Sequence, residues 1–304
     1  IRDSGNVGSW GFARGGMGSV AAALSSSFQS LGGEIRTNSE VNQIVVDGKT
    51  AKGVQLVSGE IIRANAVVSN LDAKRTFLKL IDEKKLPSEL SEKARNFKIR
   101  GSSGKVNIAL DGMPIFSALP KKSPLTLGHM HFSDTLERLE RAYDDWKDDR
   151  WSADPYVDMV IPTQYDPTMA PPGKHMMSVF VQYCPVSPEG GWDEKKKKEF
   201  GNTVINQIAD SSPNFKDLIL HAEIRTPHEI EKEVGLTEGN IFQGELTLDQ
   251  LMFNRPFPGY AQYRGPFKKM YMCSSSNHPG GGVMGAPGAN AAREILRDLK
   301  LQNT

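Results

Sequence analysis

Cysteine is nearly missing: Cys184 and Cys273 are the only two in 304 residues. That excludes a disulfide framework and a zinc cage, both of which need more thiols at close spacing. Long apolar runs are missing too, and no stretch approaches the roughly 18 consecutive apolar residues of a membrane-spanning helix. Neither sign of charge is in excess: 37 Lys and Arg stand against 36 Asp and Glu. A phosphate-backbone binder carries a strong basic surplus or stripe, so no nucleic-acid partner is expected. The chain has no initiating methionine, and IRDSGNVGSWGFARGG has neither a cationic n-region nor an apolar h-region. It therefore reads as a fragment or a processed chain. A soluble, intracellular protein is expected, with the compartment left open.

What is present is the composition of a folded protein. Hydrophobic residues make up 38% and charged residues 24%, which rules out disorder and fibrous repeats. At about 100–200 residues per domain, the length suggests two domains. From Gly15, the run GGMGSVAAALSSSFQSLGG places Val20, Ala23, Leu24, Phe28 and Leu31 on one helical face, with Gly32 and Gly33 as a stop. Asp47-Gly48 is a hairpin turn signal between a β-branched run ending at Val46 and GVQLV, and Ser58-Gly59 marks a second turn. The glycines at 15–18 fit either a tight turn packed under a helix or an N–H-rich helix start that an anion can approach. Their spacing is not the G-x-G-x-x-G of a dinucleotide fingerprint.

Near the other end, MYMC reads as a short strand, SSSNHPGGG as a loop, and GANAAREILRDL as a helix with Ala292, Ile295, Leu296 and Leu299 on its apolar face. Strand, glycine-rich loop and helix together let a cofactor reach main-chain N–H groups at a helix N-terminus. Gly280, Gly281 and Gly282 in sequence carry an entropic cost that makes sense where something approaches the backbone closely. The alternative is a flexible surface loop, although Pro279 and Pro287 bracket the glycines and restrict them.

The middle differs from the flanks. GKVNIAL, LGHMHF, YVDMVIP and HMMSVFVQY read as strands of one antiparallel sheet. SDTLERLERAYDDWKDD reads as a helix with Ser133 as its N-cap, and DEKKKKEFGNTVINQIADSS as another, its lysine run a solvated face. His129 and His131 share a strand face but lack a third ligand at a recognisable spacing, so no metal is expected. No G-x-S-x-G motif or Cys/His pair supports a covalent nucleophile. His278, just before Pro279, is the one catalytic candidate, either a proton acceptor or a structural donor. Phe242, Phe253, Phe257, Tyr260 and Tyr263 fit either a substrate tunnel or ordinary core packing.

Taken together, RGGMGSVAAAL, SEVNQIVVDGKTAKGVQLVSGEIIRANAVVSN and NHPGGGVMGAPGANAA resemble the phytoene-dehydrogenase-related flavoproteins. The closer likeness is to their pyridine nucleotide-disulfide oxidoreductase domain-containing branch. YDPTMAPPGKHMMSVFVQYCP, RTPHEIEKEVGLTEGNIFQGELTLDQL and NRPFPGYAQYRGPFKKMY extend the resemblance across nearly the whole chain. It implies an α/β fold with an α+β cap: the C-terminal part of an FAD/NAD(P)-binding doubly wound fold with an inserted antiparallel-sheet substrate domain. Residues 1–75 and 265–304 would form the distal part of the FAD-binding domain, and residues 76–264 the substrate domain.

For the cofactor, the resemblance implies FAD. Val41 would meet the adenine through its backbone. Gly280, Gly281, Gly282, Val283 and Met284 would carry the flavin, with a helix N-terminus facing its N1–C2=O edge, and Gly16 and Met17 would lie nearer flavin or substrate. Two departures stand out. The G-x-G-x-x-G fingerprint is absent and belongs upstream in the family; without its glycines and helix dipole, the fragment alone is expected to lose most FAD affinity and to be inactive. Ser274, Ser275 and Ser276 replace a segment richer in glycine, and Ser275 is a candidate to hydrogen-bond a phosphate or ribitol oxygen. The implied activity is hydride removal from an apolar or amine-like substrate, with electrons passed to an unidentified acceptor. The rivals are a non-catalytic interaction module with a vestigial flavin site, and a flavin reductase using a nicotinamide cofactor.

Overall fold

The computed structural model describes residues 11–120, 128–132 and 135–299. In chain order the elements are α1 (Gly18–Ser30), β1 (Val41–Asp47), β2 (Thr50–Leu56), β3 (Ile61–Arg63), β4 (Val67–Ser69), α2 (Ser88–Asn96), β5 (Ser103–Leu110) and β6 (Met130–His131). There follow α3 (Leu136–Lys147), β7 (Tyr156–Val160), β8 (His175–Gln182), α4 (Glu194–Ser211), α5 (Phe215–Leu218), β9 (Ile219–Arg225), α6 (Pro227–Val234), β10 (Met270–Met272) and α7 (Ala286–Asp298). They fall into two compact units, one of Ile1–Arg36 with Ser103–Thr226 and one of Thr37–Ser102 with Pro227–Thr304. Residues 76–102 and 227–264, assigned to the cap from the sequence, thus group with the C-terminal strand and helix. Residues 11–36 group with the sheet-bearing unit.

The first unit is built on a five-stranded antiparallel sheet in the order β6-β7-β8-β5-β9. Alternation along the strands sends Val106, Ile108 and Leu110 of β5, Val157 and Met159 of β7, and Met177, Val179 and Val181 of β8 to one buried face. Helix α4 covers that face with Phe200, Val204 and Ile208. Its Gly201 allows the approach, because a Cβ there would stand 2.7 Å from Ile224 on β9. The cap of α3 is Thr135, whose Oγ1 accepts from the Arg138 N–H at 3.3 Å. The expected cap, Ser133, lies outside the described residues, and the helix starts later than its composition suggests. Helix α1 forms as its periodicity predicts. It ends where expected: Gly32 takes φ +85° and the Gly32 and Gly33 N–H groups close on Gln29 and Phe28 carbonyls. Its apolar face, however, buries nothing: Leu24, Phe28 and Leu31 are all exposed.

The second unit holds a three-stranded antiparallel meander, β1-β2-β3, and a two-stranded parallel ladder, β4 beside β10. The Asp47-Gly48 signal is a hairpin in fact, with Asp47 opposite Thr50. Ile44, Ala51, Phe77, Leu90, Phe97, Phe257, Met270 and Met272 form one core. Strand β10 is buried at all three residues, as a parallel strand covered on both faces should be. Arg264 then ties α7 down through Glu294 and Asp298, at 2.6 and 2.8 Å.

Candidate functional site

The loop between β10 and α7 leaves the carboxyl end of a parallel strand, the position where open α/β sheets bind ligands. Its entry is fixed by the Cys273 N–H, which donates to the Ser69 carbonyl at the end of β4 (2.9 Å). Tight turns follow, closed by Asn277 N–H to Ser274 O and Gly280 N–H to Asn277 O. The Ser276 hydroxyl donates to Gln243 O and accepts from the Ala73 N–H, and the Ser274 hydroxyl accepts from the Ser276 N–H. Two of the three serines therefore spend their hydroxyls inside the protein. Ser275 binds through its main chain, its N–H to Gln243 Oε1 at 3.0 Å and its carbonyl to Arg255 Nε at 2.9 Å.

Past the serines the loop opens. Gly280 and Gly282 take φ +100° and +118°, a region that side-chain-bearing residues avoid. Gly281 has no room for a side chain, since a Cβ would meet the Phe242 ring at 2.7 Å. Gly282, Val283 and Met284 are exposed, as is His278. Helix α7 starts after Gly285 with no side-chain cap, so first-turn N–H groups and the positive end of the helix dipole are left for a ligand. Asn277 is fully buried, yet neither its Oδ1 nor its Nδ2 has a partner among the described residues. Burial pushes the neighbouring Cys273 thiol up from its ordinary value.

Val41 starts β1 at the rim of a cavity of about 550 Å³, lined also by Val54, Ser69, Asn70 and Leu71. Ser69 to Leu71 are the carboxyl end of β4, and Gln243 joins that end to the loop by donating to Asn70 O while accepting from Ser275. Val41, Ser275 and Gly280 to Met284 thus belong to one unit and are ordered around the ends of its two parallel strands.

Gly16 and Met17 lie in the first unit. There the Gly15 N–H donates to Asp166 Oδ2, the Phe12 ring stacks on Tyr165 at 4.4 Å, and Gly16 packs near Met169. Gly15 and Gly16 have φ +81° and +88°, and Met17 is exposed at the start of α1. In the sequence Asp166 stands in an Asp-Pro step, and nothing in its neighbours marks it as functional. Hydrogen bonds from Thr168 and Gly15 hold its carboxyl below the usual range.

The other candidates resolve simply. His129 and His131 both face Asp158, at 3.0 and 3.7 Å, and His131 also meets the Tyr156 hydroxyl at 2.6 Å. No group of three metal-ligating side chains occurs among the described residues. Phe257 and Tyr260 are core aromatics around Phe77, whereas Phe253 is exposed. Tyr263 is buried and braces the loop through the His278 carbonyl. Among the described residues, no helix is long and apolar enough to cross a membrane.

A parallel strand, a glycine loop and an uncapped helix meet at one end of the second unit. The family model for flavin containing amine oxidoreductases matches residues 1–296, and the chain belongs to that family. It is 38% identical to the rat (Rattus norvegicus) pyridine nucleotide-disulfide oxidoreductase domain-containing protein 2 over 97% of this chain and 52% of that protein. It is 25% identical to the lycopene-forming phytoene desaturase of a Paracoccus species, over 95% and 55%. The chain spans about half the length of these curated relatives. Among solved structures, cyclohexylamine oxidase from Brevibacterium oxydans matches with a TM-score of 0.55 at 13% identity, covering 94% of this chain and 53% of that one. An oxidoreductase from Methanosarcina mazei matches with a TM-score of 0.54 at 16% identity, covering 93% and 55%. These two likenesses concern the fold, and they agree with the mixed α/β architecture.

Proposed function

We propose that this chain carries the distal half of the flavin cradle and the substrate domain of an FAD-dependent oxidoreductase. The second unit would hold the cofactor, and the five-stranded sheet of the first unit would belong to the substrate domain. The observation that carries the reading is the loop from Gly280 to Gly285: three positive-φ glycines (Gly280, Gly282 and Gly285), Gly281 packed against Phe242, and an uncapped helix behind them. The orphaned amide of Asn277 fits a loop completed by a further group.

FAD, when bound, supplies the two-electron acceptor, so the protein needs no strong base of its own. The main-chain N–H groups at the start of α7 would face the edge of the ring that grows negative on reduction. Gly280 to Gly282 keep the backbone low enough for close approach. Val41 would bind adenine through its backbone, and the Ser275 hydroxyl would serve a ribitol or phosphate oxygen. Gly16 and Met17 would border flavin or substrate, and His278 would accept or hold a proton. The substrate would be apolar or amine-like, losing hydride from a C–C or C–N bond. The electron acceptor is a separate molecule.

Native mass spectrometry and the absorbance spectrum of this chain, beside the same measurements on the full-length gene product, test the reading. One FAD per full-length chain, bleached by substrate, supports it, and the chain alone is expected to hold FAD weakly and to turn nothing over. A full-length product without flavin would favour the non-catalytic interaction module, a reading to which the internal use of the Ser274 and Ser276 hydroxyls lends support.

A further inference from the structure

Arg255 is fully buried, and the way its charge is met is unusual. Nε donates to Ser275 O at 2.9 Å, Nη1 to Glu245 O and Gln250 O at 3.2 Å each, and Nη2 to Phe242 O at 2.9 Å and Gly244 O at 3.3 Å. Every one of these acceptors is a main-chain carbonyl. Carbonyl dipoles satisfy the donors without cancelling the charge, and buried cations are ordinarily paired with an anion. The nearby acids are committed elsewhere: Glu245 to Arg100 at 3.4 Å, Asp249 to Lys98 at 2.9 Å. Burial draws the guanidinium down to about 10, which leaves it charged at neutral pH.

Its position matters as much as its charge. Arg255 Nε lies 3.5 Å from the point where a Cβ on Gly280 would stand. The cation sits directly behind the first glycine of the loop, while its other donors fix the segment 242–250 that supports Gly281 through Phe242.

We propose that Arg255 is a positioning residue for the flavin. It holds the loop 275–282 in shape and keeps a fixed positive charge behind Gly280 that favours the reduced cofactor over the oxidised one. The inference rests on the FAD reading above. A hydride leaving a substrate C–H bond carries two electrons and adds one negative charge to the cofactor that receives it. The substrate, two electrons poorer, then sheds a proton as its double bond forms. A buried cation on the far side of Gly280 stabilises the negative product of that transfer.

The test uses the full-length gene product loaded with FAD, as wild type, R255M and R255K. Flavin fluorescence gives the dissociation constant of the oxidised form, and titration against a reference dye gives the midpoint potential. R255M should lower the ratio of reduced to oxidised affinity about tenfold, which for a two-electron couple is about 30 mV. R255K should keep a potential near wild type at pH 6 and fall towards R255M as pH rises. A buried lysine ammonium loses its proton below its ordinary value of about 10.4, earlier than the arginine. The other ionisable groups nearby, His278 and Cys273 on the loop and Glu245 and Asp249 on the supporting segment, are common to wild type and variant, so the wild-type slope is the reference. Should R255M fail to fold, the pH profile of R255K decides. Weaker FAD binding with an unchanged potential and pH slope would make Arg255 merely structural and overturn the inference. A wild-type full-length product that takes up no FAD would overturn the flavin reading itself, and this inference with it.

Discussion

Tyr263 donates its hydroxyl to the carbonyl of His278 at 2.7 Å, and the same oxygen accepts from Asn290 Nδ2 at 2.8 Å. One phenol thus joins the segment before β10, the middle of the glycine loop and the first turns of α7. Tyr263→Phe keeps the ring in its buried place and removes both bonds. We expect a loss of about 1–2 kcal/mol in stability. Hydrogen exchange should quicken from His278 to Asn290 and stay unchanged in the meander. Uniform acceleration across the unit would contradict the bracing role.

Asp166 provides a pH-dependent clamp in the first unit. Its Oδ1 accepts from the Thr168 N–H at 3.1 Å and from the Thr168 hydroxyl, and its Oδ2 from the Gly15 N–H. Those donors favour the carboxylate and lower its affinity for a proton. A group whose folded value is depressed stabilises the folded state above its unfolded value, about 3.9 for Asp. That contribution is lost as pH falls through the lower, folded value. Exchange at Gly15, corrected for the intrinsic rate, should therefore be slow at pH 5 and rise below pH 4. Asp166→Asn should abolish the pH dependence, and a profile that survives the substitution would assign it elsewhere.

Local chemistry made much of this architecture readable. The Asp47-Gly48 pair, the Gly32-Gly33 stop, the alternation in GKVNIAL and HMMSVFVQY, and the MYMC–glycine loop–helix order each depend on neighbours in sequence, and each occurs in the structure. Arg255 escaped notice because its partners are carbonyls, which every residue carries. No residue type at 242–250 or 275 announces them. Asp166 meets Gly15 across 151 positions, a pairing that only the fold creates. The exposed apolar face of α1 was unreadable for a related reason: periodicity defines a face but does not name what covers it. In α3 the error was one of competition, with Ser133 and Thr135 both able to cap and the helix choosing the later residue.

Gly282 tests the loop as a cradle. At φ +118° an alanine is strained by about 1–3 kcal/mol, whatever space surrounds it. The loop can escape the strain only by flattening its backbone. Because Gly282 is exposed and outside the core, the melting temperature of Gly282→Ala should fall by only a few degrees. The FAD affinity of the full-length product, measured by fluorescence quenching, should fall at least tenfold. An unchanged affinity would separate the glycine loop from flavin binding.

Phe200 offers a matching test in the other unit. It is fully buried in α4, and its ring lies edge-on to Trp151 at 6.2 Å and Trp192 at 5.9 Å, which themselves stack at 5.4 Å. It also closes over Gly104 of β5, where a Cβ would approach its ring to 2.6 Å. Phe200→Ala opens a cavity between helix and sheet that neither tryptophan can fill without leaving its partner. The expected cost is about 3–5 kcal/mol, seen as a lower urea midpoint with an unchanged slope. Tryptophan emission should shift to the red in the folded baseline, because Trp151 and Trp192 lose their shared neighbour. A small cost with unshifted emission would mean that α4 packs on the sheet mainly through Val204 and Ile208. The sheet would then tolerate variation at the Gly104–Phe200 contact.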